Sequence, residues 1–363
     1  MRVQRVLMPA SDRESWTVVD GNGLVVEPIE DYLAYLAAIE RSPTTVRAYA
    51  FSLKLWFEFL SARDVSWDTA GVEEVSRFVA WLRAPADNVV AIDGSASRLA
   101  ARTVNRHLSG LFGFYDYQAR RGVDLSARLV AWRGAGHRPY KPFLDHVTKG
   151  KPVRARPIKL TVPKKAPTTL TESEIRALLE ACEHLRDQFL LALLAETGMR
   201  VGQALGLRHS DFVSRDREVH IVPREDNANG ARAKCRREVV LPVSRGLVRL
   251  YSEYMHVEYG TLDSDYVFVN LWGQPMGRPL SHQAVDGLVG RLRARTGIFF
   301  RPHMLRHSRA TELVRQGVPI EVVSKLLTHR SVATTSEIYV HLDVDDTRAE
   351  LVRAGVWAHE GTE

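Results

Sequence analysis

The sequence predicts a mainly α-helical protein with a small antiparallel β-sheet, divided into two domains. Three observations lead there. Apolar residues recur every three or four positions through residues 28–132. The pattern then breaks into a basic, proline-containing stretch over residues 133–168. From residue 169 to 363 helical periodicity returns, interrupted by two short alternating segments joined by a polar turn. Residues 1–27 stand ahead of the first domain as an N-terminal extension. A chain of 363 residues with 45% hydrophobic content can bury two ordinary cores.

The first domain reads as helices only. One covers residues 29–40. The next opens at Ser42-Pro43, where serine caps the free backbone N–H groups and proline fits the first turn. Along it Val46, Tyr49, Leu53, Trp56, Phe57 and Leu60 fall on one stripe, which must face a core. Two more helices fit residues 72–82 and 103–120. The basic stretch that follows holds ten Lys or Arg between residues 133 and 165 against a single acid, Asp145. It fits either a solvated hinge or a strap that neutralises the phosphates of a polyanion.

The second domain starts with Thr171-Glu172-Ser173-Glu174, a capping box ahead of Ile175, Leu178 and Leu179. A helix over residues 187–197 stops at Gly198. Strands fit residues 218–222 and 238–241, joined by the Asn- and Gly-containing stretch 224–233, with a third strand at 266–269. Further helices fit residues 244–258, 281–295, 303–316, 319–328 and 332–341, and a last one residues 347–357.

Charge and cysteine usage narrow the partners. The net charge of +7, with a pI near 9.5, favours a polyanion. Cys182 and Cys235 have neither disulfide nor zinc-knuckle spacing, which fits a reducing cytoplasm. The longest apolar run, near residues 189–195, is too short to span a bilayer, so no membrane role is expected.

Within the second domain lies a set of residues suited to transesterification at a phosphodiester. Tyr339 supplies a phenol that can attack phosphorus and hold the phosphate covalently. Arg200 and Arg306 supply guanidiniums, always charged and able to bond bidentately, for the non-bridging oxygens. Lys234, between the two strands, is placed to protonate a departing sugar oxygen. His303 shares a helical face with Arg306, and His329 offers a further donor.

Each residue has a plainer reading. Arg200 alone fits a helix-end cation, His329 a turn histidine, and Tyr339 the cap of an apolar face. Lys234 has Arg232, Arg236 and Arg237 around it, as an exposed hairpin tip commonly does. His303 and His307 have zinc-ligand spacing, but Met304 stands where that mechanism needs a glutamate base. It is the joint occurrence that argues for chemistry.

The same residues resemble the tyrosine recombinase (phage integrase) family. An arginine in Thr197-Gly198-Met199-Arg200, a hairpin lysine, the His-x-x-Arg of His303 to Arg306, a later histidine and a tyrosine fill all six functional positions. Tyr32-Leu33-Ala34-Tyr35-Leu36 and Ser42-Pro43-Thr44-Thr45-Val46-Arg47-Ala48-Tyr49 are similar to the family's helical core-binding domain. The resemblance covers about residues 28–345 and implies a core-binding domain followed by an α+β catalytic domain. It further implies a 3′-phosphotyrosyl intermediate, no metal or nucleotide cofactor, double-stranded DNA as partner and a homotetramer on paired sites, with accessory recombination proteins as further partners. The basic stretch and the segment after the tyrosine are most similar to the transposon-borne branch.

Two departures stand out. Gln203 occupies a position where the family usually has a carboxylate, and a neutral amide cannot balance a guanidinium. Arg200 is therefore expected to be less firmly oriented, and Gln203→Glu to raise the cleavage rate. His329 and Tyr339 are ten residues apart, one more than in many members. Outside the site, Arg47 and Lys54, and Arg102 and Arg106, are candidate DNA contacts, with a solvated polar face as the plain alternative. The last helix, with Leu351, Val352, Val356 and Trp357, either folds back or docks on a neighbouring protomer. Competing activities are a type IB topoisomerase and a DNA-binding accessory protein that has lost the chemistry.

Overall fold

The computed structural model describes residues 1–7, 14–84, 98–123, 158–163, 168–233 and 237–328, and the backbone of residues 131–133 and 153–155. The expected helices at 332–341 and 347–357 lie outside the described residues. The chain forms two compact units, Met1–Lys164 and Lys165–Glu363.

Among the described residues the first unit holds four helices: α1 (Glu27–Ala38), α2 (Pro43–Ser61), α3 (Val72–Arg83) and α4 (Ala101–Arg120). Helix α2 begins as its sequence dictates, with the Ser42 hydroxyl accepting from the Thr45 N–H at 3.3 Å and Pro43 in the first turn. Its stripe of Val46, Leu53, Trp56 and Leu60 is buried against Phe78 of α3 and Leu108, Leu111 and Phe114 of α4. Trp56 meets Phe78 edge-on at 5.0 Å, and its Nε1 donates to the Tyr115 hydroxyl at 3.0 Å, so the indole is both packed and satisfied.

Two features of this unit lie outside the expected helices. The N-terminal extension is an antiparallel hairpin, β1 (Arg2–Leu7) with β2 (Glu14–Val19), registered Arg2 to Val19 and Leu7 to Glu14. Val18 is buried in the helical core, with Trp16 packed at its edge. The basic stretch is also not wholly a linker. Asn105 donates to the Leu160 carbonyl at 2.8 Å and accepts from its N–H at 2.9 Å, and Ile158 and Leu160 pack on the same core. Two three-residue strands, β3 (Ala131–Arg133) at the start of that stretch and β4 (Val153–Ala155) within it, pair antiparallel.

The second unit opens with α5 (Glu172–Glu180), capped reciprocally by Thr171 and Glu174. Then come α6 (Leu185–Thr197) and the single turn α7 (Val201–Ala204). A three-stranded antiparallel sheet, in the order β5 (Phe212–Val213), β6 (Glu218–Ile221), β7 (Val239–Pro242), follows. The sheet's third strand is therefore residues 212–213. Residues 266–269, expected to be a strand, make only isolated bridges from Tyr266 to Arg208 and from Val269 to Pro279. Helices α8 (Arg245–Tyr254), α9 (His282–Thr296), α10 (Pro302–Arg315) and α11 (Ile320–Leu326) follow among the described residues. Helix α8 runs on through a wider turn, Met255–Tyr259. Phe189 on α6 lies at the centre, stacked on Phe268 at 5.4 Å and edge-on to Phe212 at 5.7 Å. Helix α6 is thus the buried axis on which the loop to Arg200 is mounted.

Candidate active site

Helix α6 ends where Gly198 takes the left-handed conformation at φ +65°. Glycine is needed there twice over. An L-residue is disfavoured at that φ, and a Cβ would lie 2.6 Å from Cδ2 of Leu327. The reversal leaves Arg200 as the residue before α7, half-buried. Its backbone N–H donates to Oε1 of Gln203 at 2.7 Å, and its Nη1 donates to the Thr328 hydroxyl at 3.0 Å. Nε2 of Gln203 donates to the same hydroxyl oxygen at 3.1 Å. The expectation that Gln203 leaves Arg200 loosely oriented is not met. The amide fastens both the backbone of Arg200 and the residue that its guanidinium bonds.

Arg306 comes from the first turns of α10, opened by Pro302. It is only 4% exposed, and its guanidinium grips two carbonyls from distant segments. Nη1 donates to Gly198 at 2.7 Å, and Nη2 donates to Leu327. Burial, with the positive charge of Arg200 adding to it, lowers the Arg306 pKa to about 9. Two neighbouring guanidiniums of this kind can take up an anion between them. His303 lies one turn before Arg306, exposed, with its ring edge-on to His307 at 5.7 Å. Burial, and then Arg306, hold His307 below the usual histidine value, consistent with a packed neutral ring.

Lys234, His329 and Tyr339 lie outside the described residues, but the segments leading to the first two are defined. The loop leaving β6 lies against α7, so closely that a Cβ on Gly202 would sit 2.7 Å from the Arg232 carbonyl. Asn227, buried, accepts from Nη2 of Arg208 at 3.2 Å and donates to the Ala231 carbonyl at 2.9 Å. Asn229 donates to the carbonyls of Leu205 and Leu280, each at 2.9 Å. The Tyr266 hydroxyl accepts from the Ala228 N–H at 2.8 Å, while Arg208 stacks on its ring at 3.3 Å. Arg224 closes a two-pronged bond with Asp211 at 2.6 and 2.7 Å. These bonds fix the loop that runs on to Lys234 against the helix that follows Arg200.

Of the residues that sequence reasoning proposed for the site, Arg200, His303 and Arg306 are described, and the two arginines bond the same turn and helix end. That reasoning missed Thr328, Leu327, Asn227 and Tyr266. No motif announces a hydroxyl or a carbonyl whose value lies in where the chain turns. Among the candidate DNA contacts, Arg102 and Arg106 lie exposed on α4. Arg47 stacks over Trp16 at 5.0 Å and Phe51 at 5.7 Å, and Lys54 pairs with Glu58 at 2.7 Å. Among the described residues no three His, Cys, Asp or Glu are grouped to hold a metal ion, and no helix is long and apolar enough to cross a membrane.

The chain is similar to known proteins over most of its length. Residues 168–345 match the Phage integrase family, and residues 29–122 match the Phage integrase, N-terminal SAM-like domain. Transposase A from transposon Tn554 of Staphylococcus aureus is 38% identical over 352 residues, covering 96% of this chain and 97% of the relative. Tyrosine recombinase XerD of Mycobacterium leprae is 30% identical, covering 91% and 95%. Among solved structures, the Tn1549 transposon integrase with transposon right end DNA superposes with a TM-score of 0.61 at 15% identity, over 90% of this chain and 99% of that one. A lambda integrase tetramer bound to a Holliday junction gives 0.55 at 17% identity, over 84% and 77%. The two domains, the paired arginines and these relatives agree: the chain belongs to the phage integrase family of tyrosine recombinases.

Proposed function

We propose that this protein is a site-specific DNA recombinase of the integrase and transposase type, which cuts and rejoins DNA through a tyrosine-linked intermediate. The observation that carries the reading is the pairing of Arg200 and Arg306 around the Gly198 turn and the end of α11. Two fixed cations at one spot can take up the charge that gathers on the non-bridging oxygens of a phosphodiester under attack. Tyr339 attacks phosphorus, forming the phosphotyrosyl bond as the bond to the 5′ oxygen breaks, and leaves a 3′-phosphate on the enzyme. Lys234 gives the departing 5′ oxygen its proton, and His303 and His329 donate to the phosphate. Rejoining reverses these steps with a 5′ hydroxyl from another strand.

The relatives support the choice of partner and reaction. The closely matching Tn554 protein is named a transposase, and the solved integrases hold transposon DNA or a Holliday junction, the latter as a tetramer. Assembly of this chain as a homotetramer on paired duplex sites follows from the same reading, with Arg102 and Arg106 of α4 as contacts to the duplex.

The test uses a nicked suicide duplex carrying the element's end. The wild-type chain should form a protein–DNA adduct stable to denaturant, and Tyr339→Phe should form none. An adduct that survives in the Phe variant moves the nucleophile elsewhere. Relaxation of a plasmid bearing one site, without exchange between two, would assign the protein to the topoisomerases instead.

A further inference from the structure

The hydrogen bonds around Thr328 determine where its own proton points. The Arg200 backbone N–H can only donate, so the oxygen of the Gln203 amide faces it at 2.7 Å and the amide nitrogen faces Thr328 at 3.1 Å. That nitrogen also can only donate, as can Nη1 of Arg200 at 3.0 Å. The Thr328 oxygen therefore receives two hydrogen bonds, filling both lone pairs. Neither partner can accept the hydroxyl hydrogen, and among the described residues nothing else does.

The backbone conformation of Thr328 is unusual too. Its φ is +53°, a left-handed conformation that a β-branched residue seldom adopts. A threonine near a helix end ordinarily bonds a carbonyl one turn back. Here the turn takes the oxygen to the two donors instead. The preceding carbonyl, of Leu327, is held by Arg306, so Thr328 is fixed between both guanidiniums. The residue is half-buried, leaving a side open to a ligand.

We propose that Thr328 is a further phosphate-binding residue: its hydroxyl, charged with two hydrogen bonds from Arg200 and Gln203, donates its hydrogen to a non-bridging oxygen of the scissile phosphate. Gln203 then has a positive role. A carboxylate there would accept the Thr328 hydrogen and turn it away from the substrate, so Gln203→Glu should slow cleavage, the opposite of what charge balance alone suggests. This inference rests on the recombinase reading above.

The experiment measures adduct formation by the full chain on the suicide duplex, in single turnover at saturating DNA. Thr328→Val keeps the branched shape and loses the hydroxyl; it should cleave at least about tenfold more slowly with unchanged duplex affinity, while Thr328→Ser stays within about threefold. A duplex with a methylphosphonate at the scissile position separates contact from structure. On the stereoisomer that lacks the contacted oxygen, wild type and Thr328→Val should cleave equally; on the other the tenfold gap should remain. Gln203→Glu should be slow in the wild-type background and neutral in Thr328→Val. A Val variant as fast as wild type, or equally impaired on both stereoisomers, overturns the assignment and leaves the recombinase reading intact. A wild-type chain that forms no adduct, or an adduct retained in Tyr339→Phe, overturns that reading and this one with it.

Discussion

The carbonyl of Gly198 accepts from Nη1 of Arg306 at 2.7 Å, joining residues 108 positions apart. The turn that ends α6 therefore orients the second guanidinium as well as delivering the first. Gly198→Ala should cost about 1–2 kcal/mol for the left-handed backbone alone, before the Leu327 contact is resolved. Denaturant unfolding should show the loss, and cleavage of the suicide duplex should fall at least as far as after a comparable loss elsewhere in the core. Unchanged stability and rate would mean the turn can be made without glycine.

Arg306 holds two carbonyls with a planar fork, which a lysine cannot span. Arg306→Lys keeps the charge yet should lower the cleavage rate by roughly a hundredfold or more, on the scale of losing one preorganised donor to a developing oxyanion. Single-turnover rates at saturating DNA provide the check. A variant within a few-fold of wild type would show that charge alone is sufficient there.

Asn227 ties the loop toward Lys234 to Arg208 and to itself. Asn227→Ala leaves a buried carbonyl and a guanidinium N–H without partners, at about 1–3 kcal/mol. Hydrogen exchange should rise across residues 224–233, and the cleavage step should slow while duplex affinity holds. Exchange confined to the wild-type pattern would rule out this anchoring role.

The core of the first unit carries an acid-sensitive group. Ser52 donates to the Ala48 carbonyl at 2.8 Å, so its oxygen accepts from Nδ1 of His107 at 3.0 Å. Burial, with Arg106 adding to it, lowers the His107 pKa from the usual 6.5 to about 4. Above pH 6.5 the folded and unfolded chains both carry a neutral ring, and nothing is lost. Below it the unfolded chain binds a proton the folded one refuses, so stability falls with pH down to about 4, by roughly 2–3 kcal/mol. The imidazole titration followed by NMR should have its midpoint near 4, and His107→Asn should flatten that part of the stability profile. A midpoint near 6.5 would remove the argument.

Much of this architecture was legible because its signals are local. The Ser42-Pro43 cap, the Thr171 to Glu174 box and the glycine at 198 each act within one turn, and the helices they bound lie where the apolar spacing puts them. The N-terminal hairpin was not legible, because its apolar side has meaning only once α2 lies beneath it. Residues 266–269 have strand-like composition but are buried beside α6 and α8 without a paired strand, so packing decided against propensity. In the candidate site, side-chain chemistry pointed to Arg200 and Arg306. Gln203 was read by charge alone, whereas its hydrogen bonds involve Thr328, 125 residues away, which no local signal shows.

The hairpin of β1 and β2 also bears on where the first unit begins. Val18 is wholly buried among the helices, and Trp16 lies under the Arg47 guanidinium. A fragment trimmed to the match that starts at residue 29 would uncover the seat of both side chains and leave a greasy scar on α2. Excising this module for DNA work thus calls for keeping its first strands, without which the piece in the tube would be a sticky remnant of the native unit.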